Sequence, residues 1–78
     1  MTLIQDTGVA ARLRASRALT GMEQAEVAEA LGIARNTVSN WETGRSEPTA
    51  TAFVRWARLT GVTLDWLAEG VRVHGSEG

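Results

Sequence analysis

The residues from Gln24 to Gly44 constrain this chain more than any other stretch, because they predict two short helices joined by a tight turn. The first covers about Gln24 to Leu31 and must stop at Gly32, a residue that tolerates the left-handed exit conformation. The second covers about Arg35 to Thr43 and stops at Gly44 in the same way. Helices that cross steeply over a short turn need a small residue where their backbones approach, and Ala28 stands there. They also need an apolar residue that folds the second helix back onto the first, and Val38 is in place for that. Val27, Leu31, Ile33 and Trp41 complete the shared core. Arg35, Asn36, Ser39 and Asn40 then project together from the opposite side of the second helix. A braced helix with such a polar face can enter the DNA major groove and read base edges.

The rest of the chain is also helical in pattern, interrupted by small or polar residues. A helix is expected over about Thr7 to Leu19, capped by Asp6 or Thr7, with Val9 and Leu13 inward and Ala10 and Arg17 beside them. Thr20-Gly21 ends it. After the loop Arg45-Ser46-Glu47-Pro48, where proline forbids simple continuation, Thr49 caps a further helix reaching Leu59 or Thr60. Phe53, Trp56 and Ala57 share one face of it, and Gly61 closes it. Thr63 caps a last short helix, Leu64 to Glu69, whose apolar members are Leu64, Trp66, Leu67 and Ala68. Val71-Arg72-Val73-His74 alternates like a short strand before Gly75-Ser76-Glu77-Gly78; a flexible tail over 71–78 is expected, with a dimer contact as the alternative. The expected class is all-α: one domain over 1–78, a compact bundle of five short helices with a central helix-turn-helix.

Composition limits the functions open to such a bundle. At 78 residues the chain is near the lower limit for an unaided hydrophobic core. It has no cysteine for a disulfide or thiolate site, and a lone histidine, His74, builds no conventional zinc site. Neither metal nor cofactor is expected. Packing must therefore supply the stability, and Trp41, Trp56, Trp66 and Phe53 are the large pieces, each able to bury roughly 150–250 Å². The first eight residues lack the basic start and apolar core of a signal peptide. No apolar run approaches the roughly 20 residues of a membrane span. A soluble cytoplasmic protein working at the nucleoid is the expectation, with no membrane and no small-molecule substrate as partner.

The net charge of −1 sits awkwardly with DNA, since a basic domain is the usual footprint of a DNA binder. The charge weakens a DNA reading without excluding it, because its distribution can compensate. All eight positive charges are arginines; Arg12, Arg14 and Arg17 lie close together, and Arg35 and Arg45 bracket the second helix of the central pair. Glu26, Glu29, Asp65, Glu69 and Glu77 are expected on the far side. No acidic pair has a catalytic spacing, Asp65 and His74 lack a serine nucleophile, and no glycine-rich phosphate loop is present. An enzyme is not expected.

With its flanks the central pattern resembles the Cro/CI-type (Xre-like) phage-repressor family. That family runs through an arginine, Gly-apolar-x-Gln, an Ala-x3-Gly turn, a Trp- or apolar-Glu-x-Gly end, a proline and a closing helix. Here stand Arg17, Gly21-Met22-Glu23-Gln24, Ala28, Gly32, Val38, Trp41-Glu42-Thr43-Gly44, Pro48 and Gly61-Val62-Thr63-Leu64-Asp65-Trp66-Leu67, so the similarity covers about residues 9–70. It implies a lambda-repressor-like DNA-binding domain. Two departures concern helix starts: Glu23 and Ala34 occupy positions where the family favours Ser or Thr, and a missing cap costs about 1 kcal/mol. Glu23 still complements the helix dipole. Thr60 replaces a usual leucine, leaving its space to Leu59 or Trp56.

The resemblance also implies roles. Gln24 contacts a DNA phosphate and buttresses the start of the reading helix, or is a plain surface glutamine. Arg35, Asn36 and Asn40 carry base readout, arginine on guanine N7 and O6 and asparagine on adenine N6 and N7; solvated surface is the alternative. Thr37 and Ser39 meet phosphate or a thymine methyl. Thr43 and Arg45 grip phosphate, or Arg45 enters the minor groove. Arg17 and Glu42 are implied to pair between the first and third helices, as opposed to being unrelated surface charges. Trp41, by its i+3 relation to Val38, points into the core rather than onto a base; Trp66 and Leu67 are candidate dimer contacts, and Arg12 and Arg14 are read as solvated, with flanking phosphates as the alternative. The function implied is a dimeric transcriptional repressor on a near-palindromic operator, two copies of the third helix about 34 Å apart. An antitoxin or controller subunit binding DNA with a protein partner is one alternative; a protein-interaction module without DNA is the other.

Overall fold

Two threonines start helices with their own side chains. Thr49 Oγ1 accepts the Ala52 N–H at 3.2 Å, and Thr63 Oγ1 accepts the Trp66 N–H at 3.1 Å. The computed structural model describes residues 8–70, and these form α1 (Val9–Thr20), α2 (Gln24–Leu31), α3 (Arg35–Glu42), α4 (Ala50–Thr60) and α5 (Leu64–Glu69). The described residues form an all-α bundle of five helices, as expected. The alternating tail and Asp6 and Thr7 lie outside the described residues. The start of α1 differs from expectation: its N-cap is Gly8, in extended conformation, so no side chain caps it. At α2 the missing Ser or Thr is offset by a carboxylate, since the Glu23 N–H donates to Glu26 Oε1 at 2.7 Å. Ala34, at the start of α3, supplies no side-chain cap.

Leu13, Val27, Val38, Trp56 and Leu67 are fully buried, with Ala28, Leu31, Trp41 and Ala57 nearly so. Every helix thus sends at least one residue to the core. Trp41 and Trp56 meet with ring centroids 6.1 Å apart and planes tilted by 58°, an arrangement that suits two ring quadrupoles. The Trp56 indole N–H donates to Ser16 Oγ at 2.9 Å, and Ser16 Oγ donates to the Leu13 carbonyl at 3.0 Å. Ser16, unremarkable in sequence, is therefore a buried polar relay between α1 and α4. Thr60 replaces leucine without an orphaned hydroxyl, because its Oγ1 donates to the Trp56 carbonyl at 2.9 Å.

Two expectations need correction. Leu67 is not available to a second subunit: it is fully buried, consumed by the core of its own chain. Trp66 is only partly buried, packed against that core. Arg12 is not a solvated surface charge. Its Nε donates to the Leu67 carbonyl and its Nη2 to the Ala68 carbonyl, each at 3.0 Å, so a cation on α1 closes the C-terminus of α5.

Candidate nucleic-acid interface

The turn between α2 and α3 is built by backbone hydrogen bonds that only a positive φ permits. Gly32 has φ +72°, its N–H donates to the Glu29 carbonyl at 3.2 Å, and the Ile33 N–H donates to the Ala28 carbonyl at 3.0 Å. This pair of bonds closes α2 and swings the chain directly into α3. The same device ends α3: Gly44 has φ +82°, its N–H reaches the Trp41 carbonyl at 3.4 Å, and the Arg45 N–H reaches the Asn40 carbonyl at 2.9 Å.

Packing then decides which side of α3 faces outward. Val38, Trp41 and Glu42 are buried. Arg35 and Asn36 are exposed, and Thr37, Ser39 and Asn40 are half-buried. Positions 35, 36, 39 and 40 follow the helical period onto one face. Thr43 and Arg45 are exposed just past the helix, with Thr43 Oγ1 donating to the Ser39 carbonyl at 2.9 Å.

Glu42 is the anchor of α3. Its side chain is 1 % exposed, yet it is fully ligated. Arg17 Nε donates to Oε2 at 2.7 Å and Arg17 Nη2 to Oε1 at 2.9 Å, a two-bond fork between α1 and α3. Gln24 Nε2 donates to Oε1 at 2.9 Å. Arg17 Nη1 also donates to the Met22 carbonyl at 2.8 Å. The hydrogen bonds to Glu42 raise the Arg17 pKa above its ordinary value, against a smaller opposing effect of burial. Arg17 therefore stays charged at every pH short of strong alkali.

Gln24 differs from expectation in one respect: its amide braces the end of α3 through Glu42, not the start. Arg14 differs more. It is not free in solvent, because Nη1 donates to the Glu42 carbonyl. One signal for this was present in the sequence, since Arg14 and Arg17 are neighbours on the surface of one helix, so whatever Arg17 touches is within reach of Arg14. Among the described residues no cluster of His, Cys, Asp or Glu could hold a metal ion, and no helix is long and apolar enough to cross a membrane.

A helix-turn-helix family model matches residues 13–67. The chain belongs to the helix-turn-helix family of Cro/CI (Xre-like) type. This is a family of DNA-binding regulators. Within it, the chain is 32% identical over 63 residues to an SPbeta prophage-derived uncharacterized HTH-type transcriptional regulator, YonR, of Bacillus subtilis, covering 81% of this chain and 58% of that protein. It is 36% identical over 45 residues to an uncharacterized HTH-type transcriptional regulator of Haemophilus influenzae, covering 58% of this chain and 19% of the relative. This helix-turn-helix chain thus spans somewhat over half of the first relative's length and about a fifth of the second's. Its fold is similar to that of the P22 c2 repressor, whose crystal structure contains synthetic operator 9T and Tl+, with a TM-score of 0.77 at 23% identity over 82% of this chain and 97% of that one.

Proposed function

We propose that this chain is the DNA-reading unit of a transcriptional regulator and that α3 lies in the major groove. One observation carries the proposal. The only acid of α3, Glu42, is buried and paired, so the outward residues are Arg35, Asn36, Thr37, Ser39 and Asn40, hydrogen-bonding groups without a negative charge among them. From Arg35 to Ser46 the one acid is the buried Glu42, so the net charge of −1 is carried by residues outside this stretch. The similarity in fold to a repressor crystallised with an operator supports the same placement.

In this reading Arg35, Asn36 and Asn40 meet base edges, while Thr37 and Ser39 meet phosphate or a thymine methyl. Gln24, Thr43 and Arg45 meet the backbone. The chain acts by binding, in the cytoplasm at the nucleoid, and performs no catalysis. A two-fold homodimer sets two copies of α3 about 34 Å apart on a near-palindromic site. Trp66 is the candidate dimer contact that keeps exposed surface. Repression follows where such a site overlaps a promoter.

Arg35→Ala is expected to weaken binding by about 1–3 kcal/mol and to relax preference at one base pair. Competition between the preferred duplex and its single-base variants measures both effects, and unchanged affinity with unchanged preference would remove α3 from the reading role. Arg45→Gln is expected to act differently. It weakens all duplexes alike and lowers the salt slope by about one unit, which a salt titration on two unrelated sequences reads directly.

A further inference from the structure

We propose that Arg14 is a positioning residue for the reading helix: by holding the last carbonyl of α3 it sets the angle at which Arg35 and Asn40 meet DNA. The inference rests on the assignment of α3 as the reading helix.

An α-helix leaves its last four carbonyls without partners inside the helix. In α3 three of these are satisfied by the chain that follows: Ser39 by the Thr43 N–H at 3.0 Å, Asn40 by the Arg45 N–H at 2.9 Å, and Trp41 by the Gly44 N–H at 3.4 Å. The fourth, Glu42, takes Arg14 Nη1. Among the described residues this is the one hydrogen bond that another helix makes to the backbone of α3. It also places a cation at the negative end of the helix dipole, where charge and hydrogen bond reinforce each other.

Arg14 and Arg17 are adjacent on the surface of α1, so α1 holds Glu42 at two points, the carboxylate through Arg17 and the carbonyl through Arg14. Buried Val38 and Trp41 hold α3 against the core, and the second bond at Glu42 further restricts its tilt. The lever is long. Arg35 lies about 10 Å along the helix from Glu42, so a tilt of about 10° displaces it by roughly 2 Å. That shift exceeds what a bidentate base contact tolerates, since hydrogen bonds weaken steeply away from their preferred length and angle. Contacts to phosphate depend less on orientation. Loss of Arg14 should therefore reduce discrimination between sequences more than general attraction to DNA.

Arg14 is exposed, whereas Arg17 partners a buried carboxylate. Substitution at position 14 thus separates orientation from folding. The test uses the full chain as wild type, Arg14→Ala and Arg14→Lys. Binding is measured to the duplex selected by the wild type and to a scrambled duplex, with salt titrations on both. Amide hydrogen exchange at Thr43 and Arg45 is followed without DNA.

Arg14→Ala is expected to keep its thermal midpoint within a few degrees and to lose roughly three- to tenfold in affinity for the selected duplex only. Exchange at Thr43 and Arg45 should quicken, and Arg14→Lys, which can still donate to one carbonyl, should recover part of both effects. An equal loss on both duplexes with a shallower salt slope would make Arg14 a phosphate contact and overturn the proposal. So would an unchanged ratio of affinities. If Arg14→Ala unfolds, the same comparison is made with Arg14→Lys. A wild type that does not distinguish the two duplexes would sink the DNA reading itself, and the exchange measurement would still show whether Arg14 restrains α3.

Discussion

Arg17→Ala is expected to remove about 3–5 kcal/mol of folding stability, a large share of what a domain of this size possesses. The two members of the ion pair are not equivalent. Glu42 is 1 % exposed, whereas the Arg17 side chain keeps 19 %. Removing Arg17 strands a carboxylate inside the protein with Gln24 as its remaining side-chain donor. Removing Glu42 strands a guanidinium that already reaches solvent and still donates to the Met22 carbonyl. Arg17→Ala should therefore be the more damaging change, and Glu42→Ala should cost distinctly less. Urea denaturation of both variants checks the order, and the thermal midpoint of Arg17→Ala should fall by at least about 12 °C. Equal losses, or a loss below about 1 kcal/mol for Arg17→Ala, would mean that solvent reaches Glu42 more easily than its burial indicates.

Trp56→Ala should cost a similar amount, about 3–5 kcal/mol, for an unrelated reason. Trp56 is fully buried at the junction of α1 and α4, packs against Trp41, and donates its indole N–H to Ser16. Alanine leaves a cavity among residues that three helices share, and a small bundle has little freedom to collapse into it. Trp56→Phe should cost less, since most of the volume is retained. Ser16 then loses a donor but keeps its bond to the Leu13 carbonyl. Because Trp41 lies on α3, the cavity should also loosen the reading helix. Trp56→Ala should accordingly weaken DNA binding at temperatures where the fold persists. Far-ultraviolet circular dichroism through the melt separates the two effects when binding is measured well below the midpoint.

Much of this architecture was legible because it is local. The turn into α3 follows from Ala28, Gly32 and Val38, which meet steric needs within a few residues, and Thr49 and Thr63 advertise helix starts through their hydroxyls. Features that join distant segments were not legible from periodicity. The pairing of Arg17 with Glu42 was implied by family resemblance, since no local pattern links charges separated by 25 positions. Arg12 and Arg14 looked like surface arginines because their partners are carbonyls, and which carbonyls end up beside α1 depends on how α3 and α5 dock. Leu67 illustrates the limit for apolar residues. A six-residue helix has an apolar side that sequence can identify, but the depth of each member depends on neighbours contributed by other helices. Ser16 gives no signal in the sequence for the same reason, its role being defined by an indole on α4.

Whether α3 reads base edges is decided by selecting duplexes from a random pool with the purified chain. A base-reading α3 enriches a defined motif with steep salt dependence, and gives that motif two-fold symmetry where two chains bind together. Arg35→Ala should shift the enriched sequence at one position of each half-site. Absence of any enriched sequence, at low salt and at protein concentrations well above those used for specific sites, would remove α3 from base reading and assign its exposed face to a protein partner.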